Sequence, residues 1–176
     1  MFKKLNLFSK TEMKVLSFIS GKDGPLYERQ IADGAGVSTG SANSILKGFA
    51  KSSLVTLERK GKMLFYQRND RSPVLRQFKV FAAINGLMPV VGRIAPICQR
   101  IVLFGSCAAG RDGENSDIDL LVLSREKEAV RRILAENGRI RPILLSSTEY
   151  ALLSRKDRPL YDRINAGIEI WGGENG

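Results

Sequence analysis

Short helical patterns fill the first part of the chain. Ser9 and Glu12 have the spacing of a capping box and predict a helix that ends at Gly21. A second helix is predicted over residues 25–32, since two glycines follow it closely and stop it. A third helix with a clearer period comes next.

The third helix opens at residues 37–38 and carries an apolar stripe. Apolar residues recur on one helical face at i, i+3, i+4 and i+7: Ala42, Ile45, Leu46 and Phe49. Residues 54–67 then have the pattern of two short strands around a basic turn with a glycine, which indicates a β-hairpin. The predicted order is therefore three helices followed by a hairpin.

The pattern becomes irregular over residues 71–97. Ser72–Pro73 predicts the start of a helix, and Gly86 and Pro89 predict that it breaks again. We interpret this segment as a helical connection between two domains, residues 1–70 and residues 98–176.

Strands and helices alternate in the last part of the chain. Ser124 and a capping box at Ser146–Glu149 predict two helix starts, and a break is expected near Pro159. The predicted strands cover residues 100–104, 117–123, 140–145 and 168–171. The sequence thus predicts an α+β chain that ends in a small α/β domain with a mixed sheet.

Charge is distributed unevenly between the two predicted domains. Residues 1–71 hold 13 Lys and Arg against 6 Asp and Glu, a net charge of +7, while the other 105 residues hold 15 against 12. A basic part beside a nearly balanced one indicates a polyanionic partner for the N-terminal domain. The alternative is a basic surface that serves only solubility.

Composition excludes several kinds of chemistry. The chain has no histidine and two cysteines, Cys98 and Cys107, which we expect to be small buried hydrophobes. Zinc sites of the Cys/His kind, histidine-based triads and a disulfide framework are excluded, so acid–base or metal chemistry must use carboxylates. No segment has the apolar core of a signal peptide or approaches the ~20 apolar residues of a membrane span, and we therefore expect a cytoplasmic protein with no membrane partner.

Residues 105–119 carry the candidate chemistry. A buried strand ends in a Gly-Ser turn, a glycine-rich loop follows, and the next strand opens with Asp117 and Asp119. Side chains alternate along a strand, so both carboxylates point to one face. They repel each other until a bound Mg²⁺ or Mn²⁺ ion bridges them. Exposed amides near Gly105 and Ser106 suit the oxygens of a triphosphate.

This pattern resembles the nucleotidyltransferases related to DNA polymerase β, especially the minimal nucleotidyltransferases of bacteria and archaea. The likeness covers residues ~99–172 and implies that Asp117 and Asp119 bind the metal and act in catalysis on a nucleoside triphosphate (NTP). The residues assigned to the nucleotide are Gly105, Ser106, Gly110, Arg111 and Ser116. Family members often carry an arginine at the place of Ala109, so Arg111 either reaches the triphosphate or faces water.

The chain departs from the family at the third carboxylate, which activates the attacking hydroxyl in active members. The corresponding strand, residues 140–145, has no acid, and Arg141 stands where the acid is expected. A guanidinium opposes a second metal and accepts no proton. Glu149 either substitutes for the acid or caps the next helix.

The N-terminal order of elements resembles the winged-helix transcription regulators, over roughly residues 9–70. In that family the third helix enters the major groove of double-stranded DNA and the hairpin lies along the phosphates. The residues that this likeness makes candidates for DNA contact are Ser41, Asn43, Ser44 and Lys47 on the third helix and Arg59, Lys60 and Lys62 on the hairpin. Alternatively, these side chains belong to a solvated face.

Three functions follow from the two resemblances. The first is transfer of a nucleoside monophosphate from an NTP to an acceptor hydroxyl or protein side chain, coupled to DNA binding. The second is a transcription regulator whose degenerate nucleotidyltransferase domain senses a nucleotide. The third is an antitoxin-like partner of a toxin protein. Whether the chain forms a homodimer is left open.

Overall fold

A computed structural model describes residues 8–172. The basic start of the chain and its last four residues, both parts of the predicted domains, lie outside the described residues. The chain divides into two units, the first ending at Arg76 and the second beginning at Gln77.

The first unit contains three helices and a three-stranded antiparallel sheet. In chain order the elements are α1 (Lys10–Ser20), β1 (Leu26–Tyr27), α2 (Glu28–Ala35), α3 (Thr39–Lys51), β2 (Val55–Lys60) and β3 (Met63–Arg68). The sheet has the order β1-β3-β2. The hairpin of β2 and β3 is the one predicted over residues 54–67.

Local capping sets the helix starts in this unit. The capping box of Ser9 and Glu12 is confirmed, and Ser38 caps α3 by accepting a hydrogen bond from the amide of Ser41. The predicted helix over 25–32 is wrong at its start, because Leu26 and Tyr27 form β1 and pair with β3. The helix begins only at Glu28.

The predicted apolar stripe of α3 contributes to the core of the first unit. Ala42, Leu46 and Phe49 are buried, as are Val15 and Leu16 of α1. Ile45 is only partly buried. Burial of each large apolar side chain contributes about 1.5–3 kcal/mol to stability. This packing stabilises short helices that would be only marginally stable in isolation.

A single long helix replaces the interrupted helix predicted for residues 71–97. Helix α4 runs over Pro73–Ile94 with Pro89 inside it, and a short 3₁₀ turn follows at Ala95–Ile97. A proline within a helix costs about 3 kcal/mol. Burial of Leu87, Val91 and Ile94 in the core of the second unit offsets this cost, and the helix continues.

Residues 73–97, which comprise α4 and the 3₁₀ turn after it, are long and apolar enough to match a membrane-spanning helix by length and composition. The sequence-based statement that no such stretch exists was therefore wrong. Part of the apolar character has an explanation in packing, because Leu87, Val91 and Ile94 lie in the protein core. Composition alone does not separate such a core helix from a membrane span.

The second unit is a mixed sheet with helices on both faces. After α4 the elements are β4 (Arg100–Phe104), α5 (Gly105–Ala108), β5 (Ile118–Leu123), α6 (Lys127–Leu134), β6 (Ile140–Leu145), α7 (Ser147–Lys156), α8 (Arg158–Asn165) and β7 (Ile168–Gly172). The strand order is β6-β5-β4-β7, with β5 and β6 parallel and the other pairs antiparallel. The predicted mixed sheet is confirmed.

Alternation along β4 separates two apolar cores. Ile101 and Leu103 pack with α4 and α6, while Val102 and Phe104 pack with α7 and α8. Along β5, Leu121 and Leu123 belong to the second of these cores, and Asp119 shares their side of the strand. The face that carries α8 is therefore also the face of Asp119.

Of two predicted helix boundaries in this unit, the cap at Ser124 is wrong and the break near Pro159 is confirmed. Ser124 does not cap α6, since its hydroxyl donates to the carbonyl of Ile97 and the cap position is Glu126. The final helix breaks at Asp157, two residues before Pro159, and continues as α8. A buried serine satisfies its hydrogen bonds where the tertiary fold places a partner, and here that partner is Ile97.

Candidate functional site

The site begins where β4 ends. Gly105 follows Phe104 directly and has φ of 74°, a left-handed conformation that favours glycine. A Cβ atom added to Gly105 would overlap Oδ2 of Asp119 and lie 3.2 Å from its Cγ. The turn therefore requires glycine for two independent reasons, and it brings Asp119 against the Gly105–Ser106 turn.

Sheet register explains why this contact forms. Asp119 lies opposite Phe104 in the antiparallel pairing of β4 and β5. Opposite residues of an antiparallel pair point to the same face. Asp117 precedes β5 by one residue and shares the side of Asp119, so both carboxylates face the same side, as the i and i+2 spacing predicted.

Arg141 lies next to the two acids. It pairs in register with Asp119 across the parallel β5–β6 ladder, and its Nη2 lies 3.2 Å from Oδ1 of Asp117. Both side chains are more than half exposed, so the ion pair contributes at most about 1 kcal/mol. The position expected for a third carboxylate thus holds a cation in contact with one of the acids.

Glu149 does not replace the missing acid. It lies beyond the end of β6 that pairs with Leu123, four strand residues or about 13 Å from the level of Asp119. Its carboxylate accepts hydrogen bonds from the amide and hydroxyl of Ser146 and from Lys127. Glu149 therefore caps α7, the second of the two predicted roles.

The donor set suits one magnesium ion carried with a nucleotide. Mg²⁺ is commonly held by one or two carboxylates together with substrate phosphates, and Asp117 and Asp119 supply hard oxygen ligands on one face. The absent Cβ of Gly105 leaves room for the carboxylate of Asp119 at the turn. No group of three or more acidic or cysteine side chains suited to a metal occurs within residues 8–172. The guanidinium of Arg141 does not fit a second metal.

The loop between the turn and β5 is closed by its own hydrogen bonds. The amide of Arg111 donates to the carbonyl of Ser106 at 2.9 Å, and the amide of Gly113 donates to the hydroxyl of Ser116 at 2.7 Å. Gly110 is buried with φ of 62°. The hydroxyl of Ser116, a predicted nucleotide ligand, thus accepts a bond within the loop.

Lys79 anchors this loop and was not predicted from the sequence. Its ammonium group is almost fully buried, donates to the carbonyl of Asp112 and lies 3.4 Å from Oδ1 of the same residue. A buried lysine needs such a partner, because an unpaired buried charge is costly. The only indication of this role in the sequence is that Lys79 stands among apolar residues of α4.

The turn also forms one wall of a cleft of about 430 Å³. The residues that line it are Gly105, Ser106, Ala108, Ala109, Arg111, Arg163 and Ala166. The structure therefore brings together the predicted residues Gly105, Ser106 and Arg111. It adds Arg163 from α8, a residue that carries no motif and was missed.

Neither cysteine is placed for nucleophilic chemistry. Burial raises the pKa of the Cys107 thiol to about 11, and burial raises that of Cys98 to about 11 as well. Both thiols are consequently protonated near neutral pH, and the nucleophilic thiolate is scarce. Cys107 is buried as predicted, whereas Cys98 is only partly buried.

The candidate DNA-contacting residues of α3 differ in their surroundings. The amide of Asn43 donates to Glu28 of α2, and the hydroxyl of Ser41 accepts from Ser38. Ser44 lines a groove that also includes Glu12 of α1. Lys47 is exposed.

The three basic residues of the hairpin lie at its tip and are exposed. Arg59 Nε donates to the carbonyl of Gly61 at 3.3 Å, and Lys60 lies 3.3 Å from Glu58. Lys62 occupies the turn itself. Charged groups at the end of a hairpin reach a polyanion without precise geometry.

Comparison with known proteins identifies the C-terminal part. Residues 90–161 match the family model described as nucleotidyltransferase domain. The chain therefore contains a nucleotidyltransferase domain, which covers the turn, the loop, both acids and Arg141. No curated protein matches the chain.

Several solved structures are similar to part of this chain. AF1382 from Archaeoglobus fulgidus is 19% identical with a TM-score of 0.41, over 47% of this chain and 91% of that one. An inferred nucleotidyltransferase from Sulfolobus solfataricus is 20% identical with a TM-score of 0.40, over 57% and 90%. A toxin–antitoxin complex with AMP-PNP is 24% identical with a TM-score of 0.35, over 52% and 74%. These likenesses are too weak to bear on function.

Proposed function

We propose that the chain is a cytoplasmic, metal-dependent nucleotidyltransferase coupled to a DNA-binding winged helix. The reaction transfers a nucleoside monophosphate from an NTP to an acceptor hydroxyl. The acceptor oxygen forms a bond to the α-phosphorus, the bond from that phosphorus to the pyrophosphate oxygen breaks, and the acceptor proton is lost to solvent or a base. The observation that carries the proposal is the packing of Asp119 against Gly105.

Each part of the site has a defined task in this reaction. Asp117 and Asp119 hold a magnesium or manganese ion, which supplies charge neutralisation at the phosphates. Gly105, Ser106, Gly110, Arg111 and Ser116 form the turn and loop that receive the triphosphate. The acids and the turn meet only because Asp119 lies opposite Phe104, the residue before Gly105.

The nucleotide-sensing alternative has one observation in its favour, the ion pair of Arg141 with Asp117. The place of a proton-accepting carboxylate holds a cation, and Glu149 is occupied in capping α7. A regulator of this kind binds Mg–NTP and changes its affinity for DNA without turnover. Gel shifts with and without Mg–NTP, combined with a pyrophosphate-release assay, separate it from the enzyme.

The winged-helix proposal depends on the element order of the first unit and its charge. Three helices are followed by a hairpin whose tip carries Arg59, Lys60 and Lys62. The net charge of +7 on residues 1–71 favours a polyanionic partner such as double-stranded DNA. The antitoxin-like alternative instead requires a toxin protein, whose gene is expected beside this one.

The test is calorimetric titration of Mg–NTPs into the wild-type chain and into the Asp117→Asn/Asp119→Asn variant. We expect binding in the wild type that requires the metal and is lost in the variant, because both amides are poor metal ligands. Absence of binding in both proteins would refute a nucleotide site. Equal binding in both would refute the role of the two acids.

A further inference from the structure

Two arginines line the cleft beside the Gly105–Ser106 turn, and none of the cleft's seven lining residues is acidic. Ala108, Ala109 and Ala166 have small side chains and leave the volume of about 430 Å³ open. Arg111 and Arg163 therefore place two positive charges around a space without a counter-charge in its walls. Such a space attracts an anion.

No ion pair occupies the guanidinium of either cleft arginine within the described residues. Within residues 77–172, five arginines form ion pairs with carboxylates: Arg93, Arg100, Arg131, Arg141 and Arg158. A guanidinium has five N–H donors and suits the bidentate recognition of phosphate.

The fold holds Arg163 at the end of β4. Its guanidinium carbon lies 5.8 Å from the centre of the Phe104 ring, and its neighbour Ile164 is fully buried. A Cβ at Gly167 would lie 2.6 Å from the carbonyl oxygen of Leu103, so the turn after α8 packs tightly on β4. The position of Arg163 is thus set by core packing.

Sheet geometry places Arg163 and the two acids on the same side. Phe104 packs in the core that includes Ile164 of α8, and Asp119 lies opposite Phe104 on the neighbouring strand. Opposite residues share a face. A ligand that meets Asp119 at the turn consequently has Arg163 on the same face of the sheet.

We propose that Arg163 binds the phosphates of the nucleoside triphosphate, together with Arg111, while Asp117 and Asp119 hold the metal. This inference rests on the proposed function and adds a phosphate-binding residue on α8 that lies outside the turn-and-loop motif. The guanidinium supplies charge-assisted hydrogen bonds to phosphate oxygens.

The experiment uses two probes, Mg–ATP and Mg–tripolyphosphate, with the full-length protein. Tripolyphosphate has no base or sugar and reports on phosphate contacts alone. Arg163→Ala is expected to weaken the binding of both probes by roughly 10- to 100-fold, the loss of affinity typical when a hydrogen bond to a charged group is removed. Arg163→Lys keeps the positive charge but not the bidentate geometry of the guanidinium, so it should lose less affinity for both probes. If Arg163→Ala fails to fold, Arg163→Gln replaces it.

Arg158→Ala is the matched control. Arg158 lies on the same helix five residues earlier, about 140° around the helical axis, and pairs with Asp162. Its removal lowers the net charge equally and should change both affinities less than twofold. Ala109→Arg in the Arg163→Ala background returns a guanidinium to the cleft and should recover part of the affinity.

The outcomes separate this inference from the proposed function. Unchanged binding in Arg163→Ala would overturn the role of Arg163 and leave the nucleotide site standing. Equal losses in Arg163→Ala and Arg158→Ala, or a loss for Mg–ATP without one for tripolyphosphate, would also overturn it. Failure of the wild type to bind either probe would refute the nucleotide site itself, and the inference with it.

Discussion

Gly105 gives a sharp prediction at the scale of a single residue. Its φ of 74° costs a residue with a side chain about 1–2 kcal/mol, and a Cβ would also displace the carboxylate of Asp119. We therefore expect Gly105→Ala to lower the free energy of unfolding by at least that amount and to abolish metal-dependent NTP binding. Urea unfolding and calorimetry measure the two effects.

Gly138→Ala is the control for this substitution. It lies in the same unit, and a Cβ there has no neighbour within 4 Å. Its stability and nucleotide binding should stay close to those of the wild type. A Gly105→Ala protein that binds Mg–NTP normally would contradict the arrangement of Asp119 against the turn.

Arg141 provides a second prediction at this scale. A metal ion at Asp117 would have to displace this guanidinium, and an exposed pair of this kind contributes about 0.2–1 kcal/mol. Arg141→Gln should therefore tighten Mg²⁺ binding by roughly 1.5- to 5-fold in the presence of NTP. A titration with Mn²⁺ followed by electron paramagnetic resonance measures this, with Arg132→Gln, an exposed arginine of α6, as the control. Weaker metal binding would mean that Arg141 supports the site.

The contrast between Arg141 and Arg163 explains how much of the site the sequence predicts. Arg141 was predicted at the place of the third carboxylate because the family resemblance puts that acid on the strand of residues 140–145. Arg163 lies 44 residues after Asp119 on α8, and no local pattern predicts that α8 packs at the end of β4. Contacts between distant elements depend on tertiary packing, which periodicity does not contain.

At the scale of elements, the N-terminus of α7 is expected to be sensitive to pH. The hydrogen bond from Lys127, followed by those from the amide and hydroxyl of Ser146, lowers the pKa of Glu149 from 4.5 to about 2. A depressed folded-state pKa gives stability that is fully present above the unfolded value and is lost as the pH falls through the folded value. The relevant window is therefore between about pH 4.5 and pH 2.

Glu149→Gln should therefore be less stable than the wild type at pH 7, and this difference should diminish from about pH 4.5 towards pH 2. Unfolding by urea over this range measures it. Lys127→Met removes the largest of the causes that lower the pKa of Glu149. The stability of this variant should therefore change less than that of the wild type between about pH 4.5 and pH 2. Lys156→Met, at the other end of α7, serves as the control. A difference that is independent of pH would show that the cap does not depend on the charge of Glu149.

Elements with local causes were predicted well, and those with tertiary causes were not. The caps at Ser9 and Ser146 and the bounds of β4 and β6 follow from neighbouring residues alone. Helix α4 continues through Pro89 because a distant core stabilises it, and Ser124 bonds to Ile97 instead of capping α6. In both failures, packing outweighed a correct local preference.

At the scale of the whole molecule, the uneven charge assigns the two proposed partners, DNA and an NTP, to different units of the chain. Residues 1–71 carry most of the net positive charge, while the acids and the cleft belong to the second unit. Binding of DNA releases counter-ions from each phosphate that a cation neutralises, so affinity falls steeply with salt. This dependence distinguishes a DNA-binding hairpin from a basic surface that serves only solubility.

The substitutions Arg59→Ala, Lys60→Ala and Lys62→Ala should, in combination, weaken DNA binding and flatten its salt dependence. Each lost phosphate contact lowers the slope of log affinity against log salt by about 0.9. Gel shifts between about 50 and 200 mM salt measure the slope. The control removes three arginines from the second unit, Arg125, Arg131 and Arg132, which lowers the net charge equally. The two triple variants lose the same number of positive charges, so only a local contact of the hairpin with DNA can make their slopes differ. Equal slopes would therefore mean that total charge, and not the hairpin, determines the affinity for DNA.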